Sequence, residues 1–358
     1  MTTSPSPAAR TGPRAAGADY VLNPATRMLW RPDASLQLEL GDRSALLTGV
    51  SAGVVSRLVR STQPGQRRSR STTTTLRALC EAGFLWRATG DPAAQRRGDV
   101  DERLVPPRPR LAGQLAALQA RSGERAAELL SARRHAVVAV YGTGRAGPHL
   151  AALLAAAGVG RVHVSTPGTV RLGAAVPGGV LPADEGRALS RAATEAVTRA
   201  APEADTEPPG PETPVDLAIL ADDEPVDPDR REALHRQGRA HLTVAVGATR
   251  GVVGPLVLPG LTSCLRCADL HRADRDPAWD SLAVQLTIPR RGPVGTDCAL
   301  ATVVAGTAAL QALSFLDGEE PATIEGTLEL HLPDWRLRRR SWPLHPDCGC
   351  GTARPGAA

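Results

Sequence analysis

Four of the six cysteines fall in two pairs, Cys264-Leu265-Arg266-Cys267 and Cys348-Gly349-Cys350, separated by residues 268–347. Two closely spaced thiolate pairs supply the four soft ligands of a tetrahedral zinc site and leave no position open for substrate. Such a site staples the C-terminal tail to the body and performs no chemistry itself. His345, just before the second pair, is near enough to replace one thiolate. A redox C-x-x-C would open a helix after the first strand of a thioredoxin-like unit, and this pair is not expected to do so. Cys80 falls on the apolar side of an expected helix and reads as a small hydrophobe. Cys298 follows Asp297 at an expected helix start, where the dipole would favour a thiolate, so a nucleophile is the alternative to a structural role.

A second constellation is glycine-rich. The apolar strand Ala136–Tyr141 runs into Gly142-Thr143-Gly144-Arg145-Ala146-Gly147, and a helix over 148–157 follows. Small residues between a strand and a helix N-terminus let backbone amides approach an anion, so Gly142, Gly144, Arg145 and Gly147 are the candidate nucleotide-binding residues. The same glycines would serve equally for close helix–strand packing. A nicotinamide dinucleotide needs an acid about 20 residues on to hold its ribose. The next strand ends Val164-Ser165-Thr166-Pro167 and offers none. All 42 basic residues counted as Lys+Arg are arginine. That removes Schiff-base chemistry, a lysine base and a P-loop lysine together.

The elements that position these residues alternate. Strands are expected over 136–141, 161–165, 215–220 and 241–246, and helices over 111–133, 148–157, 230–237 and 298–315. This is the cadence of an α/β, Rossmann-like, doubly wound and mostly parallel sheet. Ahead of it, Leu36, Leu38 and Leu40 alternate with polar residues as a half-buried strand. Ser51 can cap a helix through Val59, and Thr75 can cap another through Cys80 that stops at Gly83, before the strand Phe84–Trp86. That order suggests a small α+β, winged-helix-like domain. The domains expected are a tail over 1–17, the recognition-type domain over 18–104, a proline-rich linker over 105–110, the main body over 111–351 and a tail over 352–358. Residues 1–110 hold 17 arginines against 9 acids, whereas the remainder holds 25 against 28.

Composition excludes several classes. The net charge is +5 and aromatics make up only 3% of 358 residues, which supplies stacking platforms for nucleic acid poorly. Met1–Ala18 has no apolar run of a secretory signal. Ala299–Leu313 is interrupted by Thr and Gly and is too short to span a bilayer. With six cysteines in a chain of this length, the expectation is a cytoplasmic protein without a disulfide framework.

The glycine turn, Ala156-Ala157-Gly158-Val159-Gly160, Asp184-Glu185-Gly186, Val215 to Asp222, Gly247 to Gly260, the C-x-x-C pair, Gln311-Ala312-Leu313 and the closing cysteine pair occur in one order. In that order the chain resembles the ThiF/ubiquitin-activating superfamily of adenylating enzymes over roughly residues 111–351. The segments Cys264 to Arg272 and His345 to Cys350 are most similar to the ThiF-related partner proteins of azoline-forming peptide cyclodehydratases. The resemblance implies an N-terminal element within 18–104 that holds a precursor's leader peptide, a YcaO-type modifying enzyme as partner, and a homodimer. Active members of the superfamily adenylate a carboxylate with MgATP. They carry ribose-holding aspartates where this chain has Ser165 and Pro167, an Asn-Leu-x-Arg-Gln segment that 171–179 does not reproduce, and a lysine where Leu189 stands. Asp222, at the place of a metal-associated aspartate, and Arg145 are the matching residues that remain, and they would be the catalytic ones if the site were active.

The expectation is a non-catalytic, peptide-binding scaffold with a degenerate adenylation fold and a structural zinc, taking an acidic extended peptide by strand addition. One alternative is an active adenylyltransferase whose nucleotide contacts pass to Arg145, Arg161 or Arg187. Another is a DNA-binding regulator, against which the expected second helix offers only Arg77 and Arg87 and no Asn or Gln for base edges.

Overall fold

The computed structural model describes residues 20–49, 70–87, 108–222, 228–286 and 295–351, apart from Pro24, Leu172, Pro211 and Glu212. The chain forms two compact units, residues 1–128 and 129–358. The expected helix over 51–59 and residues 105–107 of the proline-rich linker lie outside the described residues.

The first unit contains β1 (Tyr20–Leu22), β2 (Arg27–Trp30), β3 (Leu36–Leu40), β4 (Arg43–Leu47), α1 (Arg70–Glu81), β5 (Leu85–Arg87) and α2 (Ala112–Ser122). β2, β3 and β4 form an antiparallel meander, and β1 pairs antiparallel with β5. The leucine alternation read from the sequence holds: Leu36, Leu38 and Leu40 are buried with Leu76, Leu79, Phe84 and Leu85. Thr75 is not the cap of α1, which begins at Arg70 and runs through all four threonines. Burial of Leu76 and Leu79 outweighs the weak helix preference of β-branched residues. The helix ends where expected, before Gly83 in the left-handed region at φ +81°. Helix, glycine stop and strand are thus present, but these elements do not establish a winged helix. Buried Asn23 donates to the carbonyls of Gly83 and Gln119, and Arg43 donates to those of Ala82 and Ala120, which fastens α2 to this unit.

The single helix expected over 111–133 is two helices. α2 stops at Gly123, whose φ of +57° breaks it, and α3 (Ala126–His135) restarts after a short 3-10 turn. The second unit continues with β6 (Val137–Tyr141), α4 (Ala146–Ala156), β7 (Arg161–Ser165), α5 (Leu189–Ala200), β8 (Leu217–Ala221), α6 (Pro228–Arg236), β9 (His241–Val246) and β10 (Arg250–Val257). α7 (Leu265–Ala273), α8 (Trp279–Leu286), α9 (Cys298–Leu316), β11 (Gly326–His331) and β12 (Leu337–Ser341) complete it. The seven strands lie in the order β12-β11-β10-β9-β8-β6-β7. β7, β6, β8 and β9 are parallel, and β10 to β12 join antiparallel. β8 is buried along its whole length, as a strand covered on both faces must be.

α9 has 19 residues, long and apolar enough by those criteria to cross a bilayer, which corrects the expectation drawn from its interruptions. One face of it, with Leu300, Val304, Ala308 and Leu313, belongs to the same core as Val138, Leu150, Ile219 and Leu242. A buried bidentate ion pair fixes its end: Arg133 Nε and Nη2 donate to Asp317 at 2.7 and 2.6 Å, with side chains 1% and 0% exposed.

Candidate functional site: a four-thiol cluster and a closed glycine turn

Cys264 is the N-cap of α7, so the C-x-x-C pair does open a helix, contrary to the sequence expectation. A redox pair is set aside for a different reason: each thiol also meets one from the second pair. Sγ–Sγ distances are 3.9 Å for Cys264–Cys267, 3.6 Å for Cys264–Cys348 and 3.4 Å for Cys267–Cys350. Four sulfurs at about 2.3 Å from one tetrahedral zinc would stand about 3.8 Å apart, whereas a disulfide requires about 2.05 Å. All six cysteines are free. Burial pushes the Cys264 thiol up to about 11 and drives Cys350 upward too. Cys267 moves down: burial opposes this, but the backbones of His345 and Cys264 and the other thiols outweigh it. A divalent cation supplies the charge that such buried thiolates lack. The donor set therefore fits zinc.

His345 does not replace a thiolate. Its Nδ1 accepts the amide of Asp347 at 3.1 Å, which leaves Nε2 to donate to Asp274 at 3.0 Å. His271 lies beside it and meets the Pro343 carbonyl through Nε2 at 3.0 Å. His271, Asp274 and His345 form a second close group beside the cysteines. Both ring nitrogens of His345 are thus engaged with the protein, and the group reads as a buttress for the tail. Sequence reasoning missed Asp274, for which the only signal was its spacing three residues after His271 on α7.

The glycine turn is in its expected place between β6 and α4. Gly142 has φ +115°, and a Cβ there would sit 2.4 Å from the Ala221 carbonyl oxygen. Two of the turn's amides are already used. Thr143 N–H donates to the Asp222 carboxylate at 2.8 Å, and Gly144 N–H donates to the Ala221 carbonyl at 3.0 Å. The side chain expected to serve a metal instead occupies the anion's place. Arg145, expected to face phosphates, donates to the carbonyls of Ala175 at 2.6 and 3.2 Å and of Thr296 at 2.5 Å.

The substitutes considered for the nucleotide contacts are engaged as well. Arg187 is bonded to Asp184 and Glu195. Arg161 pairs with Asp205. It also opens β7 opposite Val137, at the far end of the strands from the turn. Leu189, where the resemblance expects lysine, is 7% exposed and packs with Val170, Val180 and Ala192. Thr166, after β7, is buried and presents no carboxylate. These residues do not fit ATP. Cys298 begins α9 directly after its cap, Asp297, whose side chain accepts the Leu300 amide at 2.8 Å.

No protein-family model and no curated protein matches the chain. Solved structures do. The microcin C7 biosynthetic enzyme MccB in complex with N-formylated MccA superposes with a TM-score of 0.69 at 14% identity, covering 93% of this chain and 99% of that one. Escherichia coli MccB with ATP gives 0.68 at 14%, with the same coverage. PaaA gives 0.61 at 15%, covering 90% and 99%. Residues 129–358 are only about two-thirds of the chain, so the likeness extends into the first unit. At this identity the likeness establishes the fold.

Proposed function

We propose that the protein is a non-catalytic scaffold of peptide modification: the first unit captures a precursor peptide, and the zinc-stapled body offers it to a separate ATP-using enzyme. The observation that carries this reading is the closure of the glycine turn by Asp222 and Ala221, together with the diversion of Arg145 to backbone carbonyls. An adenylation site works by placing charge on phosphate oxygens, and here those groups are spent within the protein. The setting is supported by MccB, whose solved complexes include MccA. The excess of arginine in residues 1–110 favours an acidic segment of the peptide. Under this reading Cys264, Cys267, Cys348 and Cys350 hold a structural zinc, residues 18–104 hold the peptide, a YcaO-type enzyme is the natural partner, and the chain works in the cytoplasm as a homodimer.

The test pairs two assays on the full chain. Pull-down of precursor peptides encoded beside its gene should show capture, and ATP–pyrophosphate exchange with the same peptides should show none. Exchange above background would instead establish the adenylyltransferase reading, and absence of capture would remove the scaffold.

A further inference from the structure

β12 ends the seven-stranded sheet, and every residue of it is exposed. Its register with β11 tells which backbone groups face outward. Trp342 N–H donates to the Glu325 carbonyl at 2.8 Å, one step beyond the Gly326–Ser341 pair. Antiparallel ladders alternate bonded and non-bonded pairs, so Arg340 and Arg338 bond inward to Thr327 and Glu329. The N–H and C=O groups of Leu337, Arg339 and Ser341 therefore point away from the sheet, without a backbone partner among the described residues.

The charge along this edge is predominantly positive. Residues 334–341 carry four arginines and one aspartate. Arg336, Arg338 and Arg340 are 79%, 58% and 52% exposed. Asp334 is shared between Arg336 and Arg338, and Glu329 between Arg340 and Arg250, so cation exceeds anion along the strand. Charged edges ordinarily keep sheets from pairing with copies of themselves. Two β12 strands would set arginine against arginine, so a second copy is disfavoured here, but an acidic strand is not.

We propose that the β12 edge is a second peptide-binding site, which takes an acidic, extended segment as an eighth strand of the sheet. Backbone bonds to Leu337, Arg339 and Ser341 would hold it, and carboxylates two residues apart would lie opposite Arg338 and Arg340, where cross-strand pairs on one face come closest. Nucleic acid could meet the arginines but not the amide ladder. This site lies in the second unit and does not depend on capture by the first.

The probe is a short fluorescein-labelled peptide alternating glutamate and valine, titrated against the full chain by anisotropy. It should bind, and Arg338→Glu should weaken it about tenfold or more. Leu337→Pro, which deletes an outward N–H but no bond to β11, should weaken it similarly. Methylating alternate amides of the peptide, with its charge unchanged, should do the same. Equal binding of the methylated peptide, stronger binding of a single-stranded oligonucleotide of equal charge, insensitivity to Arg338→Glu, or no binding at all would each overturn the site. Loss of precursor capture with this binding intact would fault the first unit alone.

Discussion

Closure of the glycine turn has a cost that nucleotide would have to meet. Before a phosphate could rest on the amides of Thr143 and Gly144, their bonds to Asp222 and Ala221 must break. The bond to the carboxylate at this partly exposed position is worth about 1–2 kcal/mol, and the amide–carbonyl bond about 0.5–1.5 kcal/mol. Their sum of about 1.5–3.5 kcal/mol corresponds to a weakening of about 10- to 400-fold. A site that would otherwise bind near 10 µM is moved to about 0.1–4 mM, before the lysine and ribose acid that the resemblance expects, and that this chain does not carry, are counted. Asp222 adds repulsion where the phosphate charge would lie. Calorimetric titration of the zinc-loaded chain with MgATP is therefore expected to show no saturation below about 0.1 mM. Asp222→Ala should reduce stability to denaturant by about 1–2 kcal/mol, the value of the bond removed. A micromolar dissociation constant for MgATP in the unaltered chain would refute the reasoning, because the turn would then open at negligible cost.

Metal analysis should find close to one zinc per chain, lost on replacing Cys264 and Cys267 by serine, and a stable metal-free protein would exclude the staple. Arg133→Met should cost about 3–5 kcal/mol in denaturant unfolding, since it leaves Asp317 buried and uncompensated, whereas Arg133→Met with Asp317→Leu should recover most of it. Burial lowers the pKa of His241, against its bond to the Arg239 carbonyl, so the folded protein holds it neutral below its ordinary value of 6.5. The unfolded chain then binds the extra proton, and stability present above pH 6.5 is lost as pH falls toward the folded value. His241→Asn keeps a donor for Arg239, and its stability should fall less steeply between pH 7 and 5, the zinc contribution cancelling in the comparison.

What could be read in advance follows the range of the forces involved. β3, β7 and β9 were legible because their side chains alternate or run apolar between turn residues, and that pattern is local. The cysteine cluster was legible because four soft ligands admit few other uses. The break at Gly123 was not, since a glycine within a helical pattern is tolerated and only its left-handed backbone ends the helix. Nor was the start of α1, where tertiary burial of Leu76 and Leu79 carries four threonines into a helix. The use made of Asp222 depends on strand order. β6 and β8 pair in parallel with Tyr141 opposite Leu220, and two further steps bring Asp222 beside Thr143. Nothing in the sequence near either residue states that register.

The same geometry gives the glycine turn a structural task whether or not a nucleotide is bound. Gly142 must stay glycine because a side chain there would collide with the Ala221 carbonyl oxygen, with or without a ligand. At Gly147 an added Cβ would meet the Ala221 side chain at 3.4 Å, an ordinary van der Waals contact, so it is Gly142 and not Gly147 that the close approach of β8 restricts. Asp222 satisfies the Thr143 amide, and Arg145 ties the turn to Ala175 and Thr296. Gly142, Asp222 and Arg145 thus each have a structural task in the folded chain. At the positions where the resemblance expects nucleotide contacts the chain holds Ser165, Pro167 and a buried Leu189. A turn poised for an anion would leave these amides and its arginine directed outward; here the Thr143 and Gly144 amides and the Arg145 side chain are directed inward, to hold β6, β8 and α4 together.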